Sequence, residues 1–149
     1  MNIRLALAKD ADNVARLFDL YRQFYQCPPD LDLATTFITD RINNQESTIF
    51  LAEERDANAV GFVQLYPSFC SVEAIKILIL YDLYVDSKQR NAGVGAMLMN
   101  RATEYAREVG ASRLDLLTAK NNMTGQHLYE KLGYQKTNEG FYAYSLNLK

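Results

Sequence analysis

Apolar residues alternate from Asn2 to Ala8, with Ile3, Leu5 and Leu7 on one side, and this two-residue period predicts a strand. The period then lengthens. Val14, Leu17, Phe18, Tyr21 and Tyr25 recur at helical spacing behind Asp10 and Asp12, whose side-chain oxygens suit a helix N-cap. Cys27-Pro28-Pro29-Asp30 ends that helix, because proline disfavours helical backbone in the residue before it. A shorter helix is predicted over Leu33 to Ile42, with Leu33, Phe37, Ile38, Arg41 and Ile42 on its inner side. Thr48 to Glu53 and Val60 to Tyr66 read as a hairpin about the polar turn Glu54 to Asn58, and Pro67 to Ser71 as a second connection. Lys76 to Val85 is apolar almost throughout, which predicts a central strand. Gly93 to Val109 carries the stripe Val94, Leu98, Ala102, Ala106 and Val109, and Gly110 stops it. Arg113 to Thr118 predicts a strand and Asn122 to Leu132 a helix ended by Gly133. Tyr134 to Lys136 and Phe141 to Leu148 read as a last pair of strands. The order is βααβββαβαββ, an α/β chain with a mixed sheet, read as a single domain over residues 1–149.

Composition narrows the function classes. With 149 residues, 48% of them hydrophobic, the chain can bury a core without disulfide or metal staples. Sixteen Lys+Arg against eighteen Asp+Glu give −2, which argues against a nucleic-acid or acidic-membrane partner. No apolar run approaches the ~18–20 residues of a membrane span. The first ten residues lack a signal peptide's apolar stretch, so the expected location is the cytoplasm. Cys27 and Cys70 are too few for a disulfide framework. With His127 the only histidine, neither a metal site nor a Ser-His-Asp hydrolase is expected.

The chemistry concentrates between the central strand and the long helix, in Asp82-Leu-Tyr-Val-Asp-Ser-Lys-Gln-Arg90-Asn-Ala-Gly93-Val-Gly95-Ala. Glycines opening a helix let a ligand approach the backbone, and the free first-turn N–H groups with the helix dipole favour phosphate. Gln89 and Arg90 add side-chain donors and a positive charge. The Gly-Lys-Ser/Thr of a nucleotide-hydrolysing loop and the three-glycine spacing of a dinucleotide fold are both missing. A glycine-cornered turn with no ligand fits the same residues.

Arg90-Asn-Ala-Gly93-Val-Gly95 resembles the Gln/Arg-x-x-Gly-x-Gly/Ala signature of the GNAT superfamily of acetyl-CoA-dependent N-acetyltransferases. Asn122, then Leu128-Tyr129, then Gly133-Tyr134 is similar to the family's second signature, and the element order resembles its fold along essentially the whole chain. The resemblance implies a mostly antiparallel mixed sheet flanked by helices, with acetyl-CoA as co-substrate and no metal. It implies that the pyrophosphate rests on Gln89, Arg90, Asn91, Ala92, Gly93, Val94, Gly95 and Ala96. The pantetheine arm would pair with the backbone of Leu83, Tyr84 and Val85, with Leu83 N–H serving the oxyanion. Tyr129 matches the family's acid for the departing thiolate, and a packed helical aromatic is the plainer reading. Asn122 matches a pantetheine ligand and equally a helix N-cap.

An amine with pKa near 10.4 must lose a proton before attacking a thioester. Tyr81-Asp82-Leu83-Tyr84-Val85 is similar to the Glu-Asp-Leu-Tyr/Phe-Val of diamine acetyltransferases, but Tyr81 stands where their first acid stands. Asp82 is then the candidate for amine binding or deprotonation, or else a structural carboxylate capping the loop. Glu73 is a distant second. His127 and Cys70 are expected to take no part, and Tyr21, Phe24, Tyr25 and Tyr66 line an acceptor pocket or the core. The stretch Tyr81 to Val85 and the turn Asn138-Glu139-Gly140-Phe141 tilt the acceptor towards a polyamine- or lysine-like amine. The leading expectation is acetyl transfer to a small primary amine by direct attack in a ternary complex. The alternatives are a protein or peptide N-acetyltransferase, or an acyl-CoA sensor without turnover. A homodimer is a family expectation.

Overall fold

The computed structural model describes every residue except 138 and 139, and resolves into two compact units, Met1–Leu117 and Thr118–Lys149. The first unit is a five-stranded sheet in the order β1 (Asn2–Leu5), β2 (Thr48–Glu53), β3 (Ala59–Cys70), β4 (Ile75–Val85), β5 (Arg113–Asp115). Neighbours are antiparallel from β1 to β4, and β5 runs parallel to β4. The helices of this unit are α1 (Ala11–Phe24), α2 (Leu31–Asn43) and α3 (Val94–Glu108).

The two-residue period of β2 sorts the core into two layers. Ile49 and Leu51 join Phe62 and the α1–α2 residues Val14, Leu17, Phe18, Ala34 and Ile38 in one buried cluster. Phe50 faces the other way, its ring centre 5.6 Å from that of Tyr105 on α3. Buried Val94, Leu98, Ala102 and Ala106 form the stripe that the helical period predicts for α3.

Several boundaries move for physical reasons. The first strand ends at Leu5, and Asp10 does not cap α1: its carboxylate accepts Leu7 N–H at 2.8 Å and both terminal nitrogens of Arg4 at 2.8 Å. Asp30 caps α2, accepting Leu33 N–H at 3.1 Å, so that helix starts at Leu31 and leaves Leu33 exposed. Pro67 to Cys70 continue β3 instead of forming a connection. β2 stops pairing at Leu65, and the ladder onward to Cys70 has one free edge, where proline's missing N–H is tolerated.

The second unit holds α4 (Met123–Lys131), closed by Gly133 in the left-handed region at φ 97. No described residue beyond Lys131 belongs to a strand, so the expected pair Tyr134 to Lys136 and Phe141 to Leu148 is not formed as a ladder. Alternation marks an apolar face, whereas a strand also needs a paired backbone. Asn138 and Glu139 of the C-terminal turn lie outside the described residues.

Candidate active site

The centre of the candidate site is a bulge. Gln64 pairs with Asp82, but the next pair along β3 and β4 is Leu65 with Leu80, which leaves Tyr81 as the extra residue. The Tyr21 hydroxyl donates to the Tyr81 carbonyl at 3.2 Å and thereby ties α1 to the bulge. The Tyr81 side chain is turned out, 60% exposed, with its ring edge-on to Tyr66 at 5.6 Å. That orientation fits a wall and no proton acceptor.

Asp82 is 4% exposed. Gln64 Nε2 donates to its Oδ2 at 2.6 Å, and Ser47 Oγ donates to Gln64 Oε1 at 2.7 Å, so the carboxylate ends a short chain of neutral groups. Burial pushes its pKa up, and the hydrogen bond from Gln64, with the Tyr21 hydroxyl whose one proton is shared with the Tyr81 carbonyl, only partly offsets that. It does not cap the glycine loop; Asp86 does, accepting Lys88 N–H at 3.2 Å. Burial and the nearby Asp82 charge push the Tyr66 phenol up to about 12, so it stays protonated at neutral pH.

Leu83, Tyr84 and Val85 pair with Val63, Phe62 and Gly61 on one side. On the other side β5 meets only Ile77, Leu78 and Ile79, and among the described residues no strand covers that edge of β4 beyond Ile79. Gly61 is required here, since a Cβ on it would stand 2.9 Å from the Tyr84 carbonyl oxygen. Gln89 Nε2 donates to Glu54 Oε1 at 2.7 Å. Arg90 Nε donates to the Val85 carbonyl at 3.1 Å, with its guanidinium over the Tyr84 ring. Both side chains therefore brace the loop from within. Asn91 and Gly93 take left-handed backbone at φ 65 and 80, and Ala92 lies exposed between them. The first main-chain bond of α3 runs from Met97 N–H to the Gly93 carbonyl at 3.1 Å. Val94, Gly95 and Ala96 consequently have no earlier turn to donate to. With buried Val94 as anchor, these three N–H groups fit a phosphate.

In the second unit Asn122 acts as the helix N-cap, accepting Gly125 N–H at 3.1 Å and donating to Thr118 Oγ1 at 3.1 Å. Tyr129 is half-buried on α4, its ring centre 6.2 Å from that of Tyr134. His127 is exposed. Cys70 donates to Glu73 at 3.3 Å, and Arg113 beside Glu73 holds that carboxyl below its ordinary range. Glu73 also lies at the far end of the β3–β4 hairpin, roughly 20 Å of strand from Asp82. Phe24 and Tyr25 are exposed at the end of α1.

Sequence reasoning missed Gln64, Phe37, Arg41 and Glu46. Gln64 had a signal, as the one polar side chain inside the buried run Val60 to Leu65. The other three join Tyr66 and Tyr81 around a cleft of about 500 Å³. Among the described residues there is no group of three or more His, Cys, Asp or Glu placed to hold a metal, and no helix long and apolar enough to cross a membrane.

A glycine-opened helix start, a bulged β4 whose edge beyond Ile79 no described strand covers, and a buried carboxylate fit an acyl-transfer site. The chain belongs to the acetyltransferase (GNAT) family, whose model matches residues 14–134. It is 43% identical over 148 residues to the uncharacterized N-acetyltransferase YhfO of Bacillus subtilis (strain 168), covering 99% of this chain and 98% of that one. A crystal structure of a probable acetyltransferase superposes with a TM-score of 0.91 at 34% identity, covering 100% of this chain and 99% of the other. A ribosomal-protein-alanine N-acetyltransferase from Brucella melitensis biovar Abortus 2308 superposes at 0.78 with 22% identity, over 99% of this chain and 100% of that one, and shares the fold. The protein is an acetyltransferase.

Proposed function

We propose that this acetyltransferase moves the acetyl group of acetyl-CoA to the primary amine of a small molecule by direct attack in a ternary complex. The observation that carries this reading is Asp82, a buried carboxylate with a raised pKa beside the uncovered edge of β4. A base works best when its pKa approaches the working pH, and burial moves Asp82 in that direction. In this reading the pyrophosphate rests on the N–H groups of Gly93, Val94, Gly95 and Ala96. The pantetheine arm pairs along Leu83 to Val85, and the oxyanion accepts from Leu83 N–H. Asp82 takes the ammonium proton, directly or through a water, and the amine nitrogen bonds to the thioester carbon. The carbon–sulfur bond then breaks; the thiolate takes a proton from Tyr129, the residue its motif assigns as acid, and the second proton of the attacking nitrogen is lost through water, which restores the phenol, while the proton on Asp82 passes to solvent. The products are the N-acetyl amine and free coenzyme A.

The test is release of free thiol from acetyl-CoA against polyamines, amino acids, aminoglycosides and peptides, with calorimetry of coenzyme A binding on the same protein. Binding with turnover of one small-amine class is the expected result. Binding without turnover of any amine overturns transfer in favour of an acyl-CoA sensor, and turnover of peptides alone overturns the small-molecule acceptor.

A further inference from the structure

The cleft lined by Phe37, Arg41, Glu46, Tyr66 and Tyr81, about 500 Å³, has the capacity of a small-ligand site. Its two charged walls differ in how firmly they are held. The Arg41 guanidinium carbon sits 4.3 Å from the centre of the Phe37 ring, and Phe37 stacks on buried Phe18 at 5.3 Å. Arg41 is thus fixed by the core behind it, and its side chain is 21% exposed. Glu46 stands on the loop after α2 with its side chain 49% exposed. It presents one oxygen, Oε1, 3.2 Å from both Nε and Nη2 of Arg41. Exposed pairs of this kind are weak and exchange readily. The chain's own carboxylate occupies the place of an exchangeable anion on a preorganised guanidinium.

We propose that this cleft binds the acceptor, and that the acceptor carries a carboxylate as well as its primary amine: an amino acid or close derivative with an apolar side chain. The inference rests on the transfer reading above. The substrate carboxylate replaces Glu46 on the fork of Arg41, where a two-point contact is available. The rings of Phe37, Tyr66 and Tyr81 cover the apolar part. Tyr66 and Gln64 stand two residues apart on one face of β3, so the cleft lies on the same side of the sheet as the buried Gln64–Asp82 pair, to which the amine gives up its proton in this inference. A polyamine offers Arg41 only cations.

The wild-type protein is assayed by thiol release on matched pairs that differ in the carboxylate alone: phenylalanine with phenylethylamine, and leucine with 3-methylbutylamine. The expected preference in kcat/KM is about 10- to 100-fold for the carboxylated member, the range of a charge-assisted pair of hydrogen bonds. In Arg41→Ala and Arg41→Lys that ratio falls towards one, through KM. Glu46→Gln lowers KM for the carboxylated acceptor about 2- to 5-fold, by removing the internal competitor. Equal use of both members by the wild type, or loss of both alike in Arg41→Ala, overturns the inference and leaves acetyl transfer standing. Absence of turnover with every amine, while acetyl-CoA binds, overturns transfer itself and this acceptor with it.

Discussion

Asp10 and Asp82 are each 4% exposed, yet their carboxyls move in opposite directions. At the N-terminal corner, Arg4 grips Asp10 with both terminal nitrogens at 2.8 Å and reaches Glu53 through Nε at 2.7 Å. Those bonds hold the Asp10 carboxyl down to about 2 against the opposing effect of burial. At the bulge, the groups that favour charged Asp82 are the neutral Gln64 and Tyr21, and burial wins. At equal exposure Asp82 lies deeper in the protein than Asp10, so it bears the greater desolvation cost and has no cation to offset it: depth and partner charge act together. A cationic partner makes Asp10 a clamp between β1 and the start of α1. A neutral partner leaves Asp82 holding its charge uncomfortably, the condition that suits a proton acceptor.

The sharpest way to break this comparison is Asp82→Asn. The amide keeps an oxygen for Gln64 Nε2 and removes the base, so kcat/KM should fall by about 10²–10⁴. Because the ionised carboxylate is disfavoured in the folded state, the variant's Tm should match or exceed the wild type's. Activity retained within a few-fold across pH would sink the base assignment, whereas a lower Tm would mean that the carboxylate stabilises the fold.

Arg4→Gln is the converse experiment, giving Asp10 the kind of partner that Asp82 has. Loss of charge-assisted hydrogen bonds should cost about 1.5–3 kcal/mol in denaturant unfolding. The pH dependence has a defined sign. The native carboxyl is depressed from 3.8 to about 2, so its stabilisation is complete above pH 4 and is lost as pH falls towards 2. In Arg4→Gln that acid-side loss should shrink, since Asp10 keeps only the Leu7 N–H bond and Glu53, which Arg4 also holds down, is released with it. If both proteins lose stability in parallel between pH 4 and 2, Asp10 is not the group responsible.

The sequence shows the two aspartates as the same residue type, and which is the proposed base and which the clamp depends on pairings far apart along the chain. What was legible had a local cause. The stripe Val94 to Ala106, the Glu54 to Asn58 turn and the glycine-opened start of α3 each follow from spacing of a few residues. The bulge left no trace in the pattern, because Ile79, Leu80 and Tyr81 are all apolar and a one-residue slip among them changes nothing that alternation records. The Arg41–Glu46 pair was hidden differently: a charge pair at the end of a helix reads as solvated surface until Tyr66 and Tyr81 are seen opposite. The C-terminal alternation was legible as an apolar face, although no described residue there lies in a strand.

The finest test adjusts the neutral partner without changing the carboxylate. Gln64 Nε2, at 2.6 Å, is a hydrogen bond that favours charged Asp82, and in Gln64→Leu it is gone. The pKa of Asp82 should then rise further, and the acid limb of the kcat/KM–pH profile should move to higher pH. The loss is greatest on the acid side and shrinks towards alkaline pH, where Asp82 is ionised in both proteins. Ser47 Oγ loses its acceptor in the same variant, so some stability falls as well. A purely structural role for Gln64 would lower kcat/KM by the same factor at every pH. Movement of the limb separates the two, because only a change in the charge balance at Asp82 makes the loss depend on pH.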